Sequence, residues 1–434
     1  MKVLIIGSGG REHAICWALL RTSSERLQLF CAPGNAGIAQ IAECVPINVD
    51  DGRGLASFAE AAKIDLTMIG PEAPLAAGLV NTFEDRGLRV VGPGSDAARL
   101  ESSKAFAKDF MDRHSIPTAR YGVATSFEAA ERVLKSGEFG NESNAVVIKA
   151  DGLAAGKGVF VAINREEAFG ALNELKSGVV AAEAARRIVI EERLNGPEAS
   201  VLLFSDGKDY RLMPAARDHK RIGENDTGPN TGGMGSITDV NILDGAMQDR
   251  IVRDIVEPTI KGCREEGFPF RGILFIGLML TPDGPRVLEY NVRFGDPETQ
   301  AILVRLQTDL AKIFAAISEQ QLGQLNIQWS PDSSACVVLA ARGYPAKVET
   351  GASIHGLERI EQHQSVHVFH AATSRAQGRW LTAGGRVLGV TATGENLDLA
   401  LSRCYDAVRE IRWDGMQYRG DIGRGTLVRN DGRG

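Results

Sequence analysis

No stretch of this 434-residue chain is apolar for long enough to cross a bilayer. The longest apolar run, Gly272 to Leu280, falls far short of the ~20 residues a spanning helix requires. The amino terminus, Met1-Lys2-Val3-Leu4-Ile5-Ile6-Gly7, turns to glycine after four apolar residues. A secretory signal carries a longer apolar segment, so none is expected here. The six cysteines (Cys16, Cys31, Cys44, Cys263, Cys336, Cys404) include no CxxC pair. Scattered thiols in a chain this large read as reduced, which places it in the cytoplasm and argues against a disulfide framework. A basic excess is also missing. The formal net charge of -6 opposes nucleic-acid binding, which needs clustered Lys and Arg to neutralise phosphates. There is no internal repeat and no low-complexity tract.

What the chain does have is globular: 44% hydrophobic and 24% charged residues. That composition excludes wholesale disorder, and the length suggests about three domains. Glycine is abundant, with 49 residues or about 11% of the chain against a usual ~7%. Several places must therefore let bare backbone approach something closely.

Residues 1–103 alternate short apolar strands (Val3–Ile6, Gln28–Cys31, Leu66–Ile69, Arg89–Val91) with helical patterns such as Glu12–Leu20 and Leu55–Ala62. Alternation of that kind predicts a parallel sheet with helices on its faces, and ligands at the carboxyl ends of its strands. A helix capped by Ser102 or Ser103 runs to about His114. Residues 145–163 read as strand, glycine loop, strand. Residues 187–204 read as two strands around Asn195-Gly196-Pro197. A long helix is expected over 246–266, then strands at Gly272–Leu280 and Arg286–Phe294. Beyond about 330 the chain is strand-rich again, with one late amphipathic helix, Leu397–Ile411.

Two glycine loops imitate well-known nucleotide motifs and fail them. Gly7-Ser8-Gly9-Gly10-Arg11-Glu12 follows a first strand, but a dinucleotide fingerprint would have glycine at position 12. The second strand ends Cys31-Ala32-Pro33, without the acid that holds a ribose. A helix N-terminus here still suits a small phosphate, and a ligand-free tight turn remains the alternative. Gly152-Leu153-Ala154-Ala155-Gly156-Lys157-Gly158 is one residue too short for a P-loop and leads into a strand, not a helix. It reads as a hairpin tip able to fold over a triphosphate, or as an ordinary exposed hairpin. Lys149 favours the former. It ends an apolar strand, where a buried ammonium needs an anionic partner.

The most informative segment is Val287-Leu288-Glu289-Tyr290-Asn291-Val292-Arg293-Phe294. Alternation puts Leu288, Tyr290, Val292 and Phe294 on the core face and Glu289, Asn291 and Arg293 on the other. A carboxylate and an amide oxygen so spaced suit a hard cation beside a polyphosphate. Arg293 suits a carboxylate or a transferring phosphoryl group. A strand with one solvated face is the plain alternative. Glu191-Glu192-Arg193-Leu194-Asn195-Gly196-Pro197-Glu198 follows a strand, where backbone groups can read adenine and Glu198 can hold ribose hydroxyls; an ordinary solvated acidic turn is the alternative. His13, His363, His367 and His370 read as packing or surface residues, not as a metal site.

In this order, the segments Gly7–His13, Ala32–Gly37, Gly70–Leu75, Ile148–Val159, Asp218–Arg221, Asn225–Gly235 and Glu289–Gln300 resemble the ATP-grasp ligases. Within them they are most similar to the phosphoribosylamine–glycine ligase family of purine biosynthesis. The resemblance spans about residues 1–425, with weaker echoes at Arg342–Pro345 and Gly384–Ala392. It implies an α/β fold, α+β in parts. An N-terminal parallel doubly wound sheet (1–103) precedes an ATP-grasp domain (104–328) with a lid at about 120–192, and a strand-rich domain (329–434) follows. The implied substrates are ATP, glycine and 5-phosphoribosylamine, joined through glycyl phosphate with Mg²⁺ or Mn²⁺. Another ATP-grasp carboxylate–amine ligase or carboxylase is the alternative. By the same resemblance, ATP is held by Lys104, Lys149, the Gly156-Lys157-Gly158 tip, Glu191, Leu194 and Glu198. The metal falls to Glu289 and Asn291. Asp218, Lys220, Arg293, Asp296 and Glu298 form the acceptor end, with Asp218, Lys220 and Arg293 nearest the chemistry. Gly9, Gly10, Asn35 and Gly37 form the ribose-phosphate site. No acid stands on Gly272–Leu280, where many ATP-grasp enzymes carry another metal carboxylate. A monomer acting on small molecules, without nucleic-acid or membrane partners, is expected. The last domain is expected to pack against the ATP site.

Overall fold

The computed structural model describes residues 1–424 apart from 141–144, 155–157, 179, 361–362 and 364. Three sheets organise it. The first is parallel, in the spatial order Glu43–Cys44, Gln28–Pro33, Lys2–Gly7, Leu66–Ile69, Val90–Val91. Lys2–Gly7 and Leu66–Ile69 are neighbours, yet the chain leaves them in opposite directions across the sheet. A crevice therefore opens at their carboxyl ends, flanked by the Gly7–Gly10 and Gly70–Glu72 loops.

The second sheet is antiparallel, ordered Tyr121–Ala124, Ile188–Glu192, Val146–Ala150, Val159–Ala162. Helices Phe127–Ser136 and Arg165–Lys176 cover it. Its core, built on Leu134, Val146, Ile148, Leu172, Ile188 and Ile190, is separate from the others. It occupies the segment, about 120–192, in which a lid is expected.

The third sheet is the largest and is antiparallel throughout. From Gly284–Asn291 it runs through Arg271–Thr281, Glu198–Asp206, Ala216–Asp218 and Gly235–Thr238. It continues without a break into Ser333–Ala340, Arg386–Gly394 and Val366–His370. Helix Leu397–Glu410 packs on its far part, as its amphipathic pattern predicts.

Several local expectations are met with a physical reason. Ser103 caps the helix Lys104–Arg113 by accepting from the Phe106 amide. The 246–266 helix is present but interrupted by a π segment, Val252–Val256, between Gly245–Ile251 and Glu257–Glu265. Pro258 stands just beyond that segment; it has no N–H to give an α-helical carbonyl, and the wider turn accommodates it. The two strands of 187–204 do not form a hairpin. Ile188–Glu192 belongs to the lid sheet and Glu198–Asp206 to the large one. The six cysteines are free. Among the described residues no helix is long and apolar enough to cross a membrane.

Candidate active site

The site lies where the parallel sheet, the lid and the large sheet meet. Its floor is the end of the Gly284–Asn291 strand. The ladder there shifts: Gly277 faces Glu289, while Leu278 faces Val287, so Leu288 is an extra residue. Leu288 is accordingly half-buried; it does not share the closed core face of Tyr290, Val292 and Phe294. The bulge leaves Glu289, Asn291 and Arg293 on the same side. Arg293 Nη2 donates to Asn291 Oδ1 at 3.4 Å, and its charge also acts on Glu289.

Four cations surround Glu289. Burial alone would raise its pKa, but Lys220, Lys149, Lys104 and Arg293 overcome that and hold it below the usual carboxylate range. Lys220 Nζ lies 3.1 Å from Glu198 and 3.8 Å from Glu289. Those carboxylates, Glu198 first, hold its ammonium well above the ordinary lysine value. Lys220 therefore bridges Glu198 and Glu289. Lys104 Nζ donates to the Gly152 carbonyl at 3.3 Å, at the root of the lid tip. Its pKa is lowered, chiefly by burial. Lys149 has the anionic partner its burial demands, Glu191 at 2.8 Å. Leu194 is half-buried in the turn that follows. Gly158 closes the lid hairpin, its carbonyl accepting from Ala150. Gly156 and Lys157 lie outside the described residues.

Arg293 is gripped from the N-terminal side. Glu101 Oε1 lies 3.0 Å from Nη2 and Glu72 Oε2 lies 3.3 Å from Nε. Beyond Arg293 stand Asp218 and Glu298. Burial, then the Glu298 charge, push Asp218 far above the normal carboxylate range; burial also raises Glu298. Gly233, with φ +107°, presses on Asp218 and on Pro297, the residue before Glu298: a Cβ there would stand 2.5 Å from Pro297 and 2.8 Å from Asp218. Only glycine admits that approach.

Asp296 turns toward the parallel sheet and pairs with Arg386 Nη2 at 3.1 Å. The Gly9–Gly10 turn begins a helix whose first amide is already engaged. Gly9 N donates to Glu12 Oε2 at 2.7 Å. Glu12 also explains two glycines, since a Cβ on Gly7 or Gly70 would meet its side chain at 2.5 or 2.1 Å. The Asn35 side chain is fully engaged in holding loops together. Its amide donates to the carbonyls of Ser8, His370 and Ala371, and its Oδ1 accepts from Gly37 and Ile38. A Cβ on Gly37 would strike His370 at 2.3 Å. Among the described residues the C-terminal part thus packs against these N-terminal loops, the Asp296 turn and the segment from His219 to Gly233. His13 is a packing residue: its Nδ1 accepts from the His370 amide at 2.8 Å.

Sequence reading missed Glu101, Lys108 and Arg386 as site residues. Glu101 and Lys108 look like ordinary helix positions, and only tertiary contacts reveal them. Arg386 lies within the weak Gly384–Ala392 echo, a signal that could have been followed.

Residues 1–101, 102–299 and 334–425 match the N domain, the ATP-grasp (A) domain and the C domain of phosphoribosylglycinamide synthetase. The chain is 45% identical over 432 residues to the phosphoribosylamine–glycine ligase of Vibrio parahaemolyticus, covering 99% of each. The chain belongs to the phosphoribosylglycinamide synthetase family. The Brucella melitensis phosphoribosylamine–glycine ligase is likewise 45% identical, over 98% of this chain and 97% of that one. Among solved structures, the phosphoribosylamine–glycine ligase of Thermotoga maritima matches with a TM-score of 0.81 at 32% identity, over 96% of this chain and 99% of that one. A biotin carboxylase from Campylobacter jejuni shares the fold at a TM-score of 0.71 and 17% identity, covering 96% and 92%. As a phosphoribosylglycinamide synthetase family member the chain has the expected α/β architecture: a parallel N-terminal sheet, an ATP-grasp region and a strand-rich C-terminal part.

Proposed function

We propose that this chain is an ATP-dependent carbon–nitrogen ligase that joins glycine to 5-phosphoribosylamine, releasing ADP and phosphate. The observation that carries this reading is the alignment of Glu289 and Asn291 on one side of a strand that ends at Asn291, short of the expected Phe294, with Arg293 two residues beyond it. Three lysines surround their nucleotide end and the Asp218–Glu298 pair flanks their acceptor end.

A carboxylate resists attack by an amine because hydroxide is a poor leaving group. Transfer of the γ-phosphoryl group from ATP to the glycine carboxylate makes glycyl phosphate and ADP. The phosphoribosylamine nitrogen then attacks the acyl carbon, the C–O bond to phosphate breaks, and the nitrogen gives up a proton. Arg293, fixed by Glu101 and Glu72, offsets charge on the transferring group. Lys104, Lys149 and Lys220 hold the phosphates. Leu194, Glu198 and the backbone at Glu191, whose carboxylate is held by Lys108 and Lys149, take the adenosine, and the Gly158 hairpin closes to keep water from the acyl phosphate. Asp218, with a raised pKa, orients the amine. Asp296, Glu298 and the Gly9, Gly10, Asn35 and Gly37 backbone shape the pocket for the sugar phosphate.

A divalent cation fits the residues present. Glu289 is held ionised, and Asn291 offers a second hard oxygen two positions on. Mg²⁺ needs few protein ligands because it keeps waters and phosphate oxygens. Gly277 faces Glu289 across the ladder, so that neighbour adds no carboxylate. Bound there, the ion would screen the phosphate charges.

An ADP-release assay with each acceptor omitted in turn tests the proposal. Release that requires both glycine and phosphoribosylamine supports it. Release driven by bicarbonate instead overturns it in favour of a carboxylase.

A further inference from the structure

One buried group near the nucleotide cleft has no role in the chemistry above. Lys108, on the Lys104–Arg113 helix, is 2% exposed, as is Glu191 on the lid strand. Its Nζ lies 2.9 Å from Glu191 Oε2, and Lys149 Nζ lies 2.8 Å from Glu191 Oε1. One carboxylate thus serves two buried ammonium groups, one from the body and one from the lid.

Both lysines are also tied to the acidic strand. Lys149 donates to the Leu288 carbonyl at 3.0 Å. Lys108 donates to Thr118 Oγ1 at 2.7 Å, and Thr118 donates to the Val287 carbonyl at 2.6 Å. A closed circuit results, from Leu288 through Lys149, Glu191, Lys108 and Thr118 to Val287. It sits at the bulge that aims Glu289. An ammonium has three donors. These contacts engage two on Lys149 and leave one for an incoming oxygen.

We infer that Lys108 is a positioning residue for the nucleotide: acting through Glu191, it fixes the direction of the Lys149 ammonium. Two cations on one carboxylate leave a buried positive excess, which an anionic ligand completes. Without Lys108, Glu191 Oε2 loses its partner in a dry site. The carboxylate then turns both oxygens onto Lys149 and draws it away from the nucleotide. Arg293 and Asp218 lie outside the circuit, so the chemical steps are preserved. The inference rests on the proposal that Lys149 contacts ATP.

Steady-state ADP release by the full-length Lys108→Met enzyme tests it. Expected is a KM for ATP raised by about tenfold or more, with kcat and the KM for glycine within about threefold of the parent. In a Glu191→Gln background the same change should add less than about twofold, because the two residues act as one unit. Thr118→Val, which keeps every charge, should raise the KM for ATP by about threefold; it decides the matter should Lys108→Met not fold. An unchanged KM for ATP in these variants, a parallel loss of kcat and all KM values, or additive effects with Glu191→Gln would each overturn the role of Lys108. An unchanged KM in Lys149→Met would overturn the underlying reading instead.

Discussion

Arg293 and Glu101 form a buried ion pair, Nη2 to Oε1 at 3.0 Å, that joins the acidic strand to the helix ending the N-terminal region. Glu101 accepts a second bond from the Val292 amide at 2.7 Å. One carboxylate thus fixes both the guanidinium and the backbone beside it. Arg293→Ala should lower kcat for ADP release by on the order of a hundredfold, as loss of charge stabilisation in a dry site does. It would also leave Glu101 buried without its cation, so the melting temperature should fall with it. A near-normal rate would remove Arg293 from the chemistry.

Asp218 is raised well above the ordinary carboxylate range by burial and by Glu298. If its ionised form orients the amine, the rate should climb with pH through that raised pKa and level off above it. Asp218→Asn should lower kcat by about a hundredfold and abolish that acid limb. A full kcat with both acceptors, or an acid limb that survives the substitution, would end the assignment.

The contact between the first helix and the last domain should be sensitive to acid. His13 and His370 are buried side by side, rings 5.6 Å apart. Burial lowers His13 from 6.5 to about 3, helped by His370, and lowers His370 to about 4. Both are neutral in the fold, whereas the unfolded chain takes up protons below 6.5. Their contribution is therefore complete above about pH 6.5 and lost as pH falls toward 4, each by on the order of 2 kcal/mol near pH 5. Denaturant melts at neutral pH and near pH 5 should differ by the sum of the two, about 4 kcal/mol; coincident midpoints would contradict the burial.

Arg419 is 2% exposed and holds a loop from behind. It bonds Asp226 at 2.7 Å and Asp421 through both carboxylate oxygens at 2.8 Å. Asn225 and Asp226 both have left-handed backbone, φ 54° and 53°, which non-glycine residues adopt only when contacts impose it. Arg419→Met should destabilise the protein by about 1–3 kcal/mol, since it removes the charged hydrogen bonds that hold the exposed Asp226 and the half-buried Asp421. Adding Asn225→Gly should recover part of that loss, which paired thermal melts would detect.

Much of the fold can be read locally. Strand–helix alternation identifies the parallel sheet, and Ser103, Pro117 and the Leu397–Ile411 stripe mark real helix limits. What escapes is long-range. Nothing around Leu288 announces a bulge, because the extra residue is defined by its partner strand. Nothing at Asn195-Gly196-Pro197 tells that its flanking strands part to different sheets. The Gly7 and Gly70 glycines are visible, but their reason, room for the Glu12 carboxylate, requires two loops to be seen together. In the site, Glu289, Asn291, Arg293 and Lys149 stand out as polar groups on apolar strands. Glu101 and Lys108 do not, because each sits on a helix where charge is commonplace.

The Gly235–Thr238 strand pairs directly with Ser333–Ala340, from Gly235 opposite Val337 to Thr238 opposite Ser334. Hydrogen bonding therefore bridges the border between the ATP-grasp and C-terminal segments, and there is no joint at which they could swing apart. A gene cut near residue 330 would yield two pieces, each with a raw apolar margin inviting clumping. The small sheet holding Glu191 and Lys149 stands outside that continuous ladder, with a core of its own.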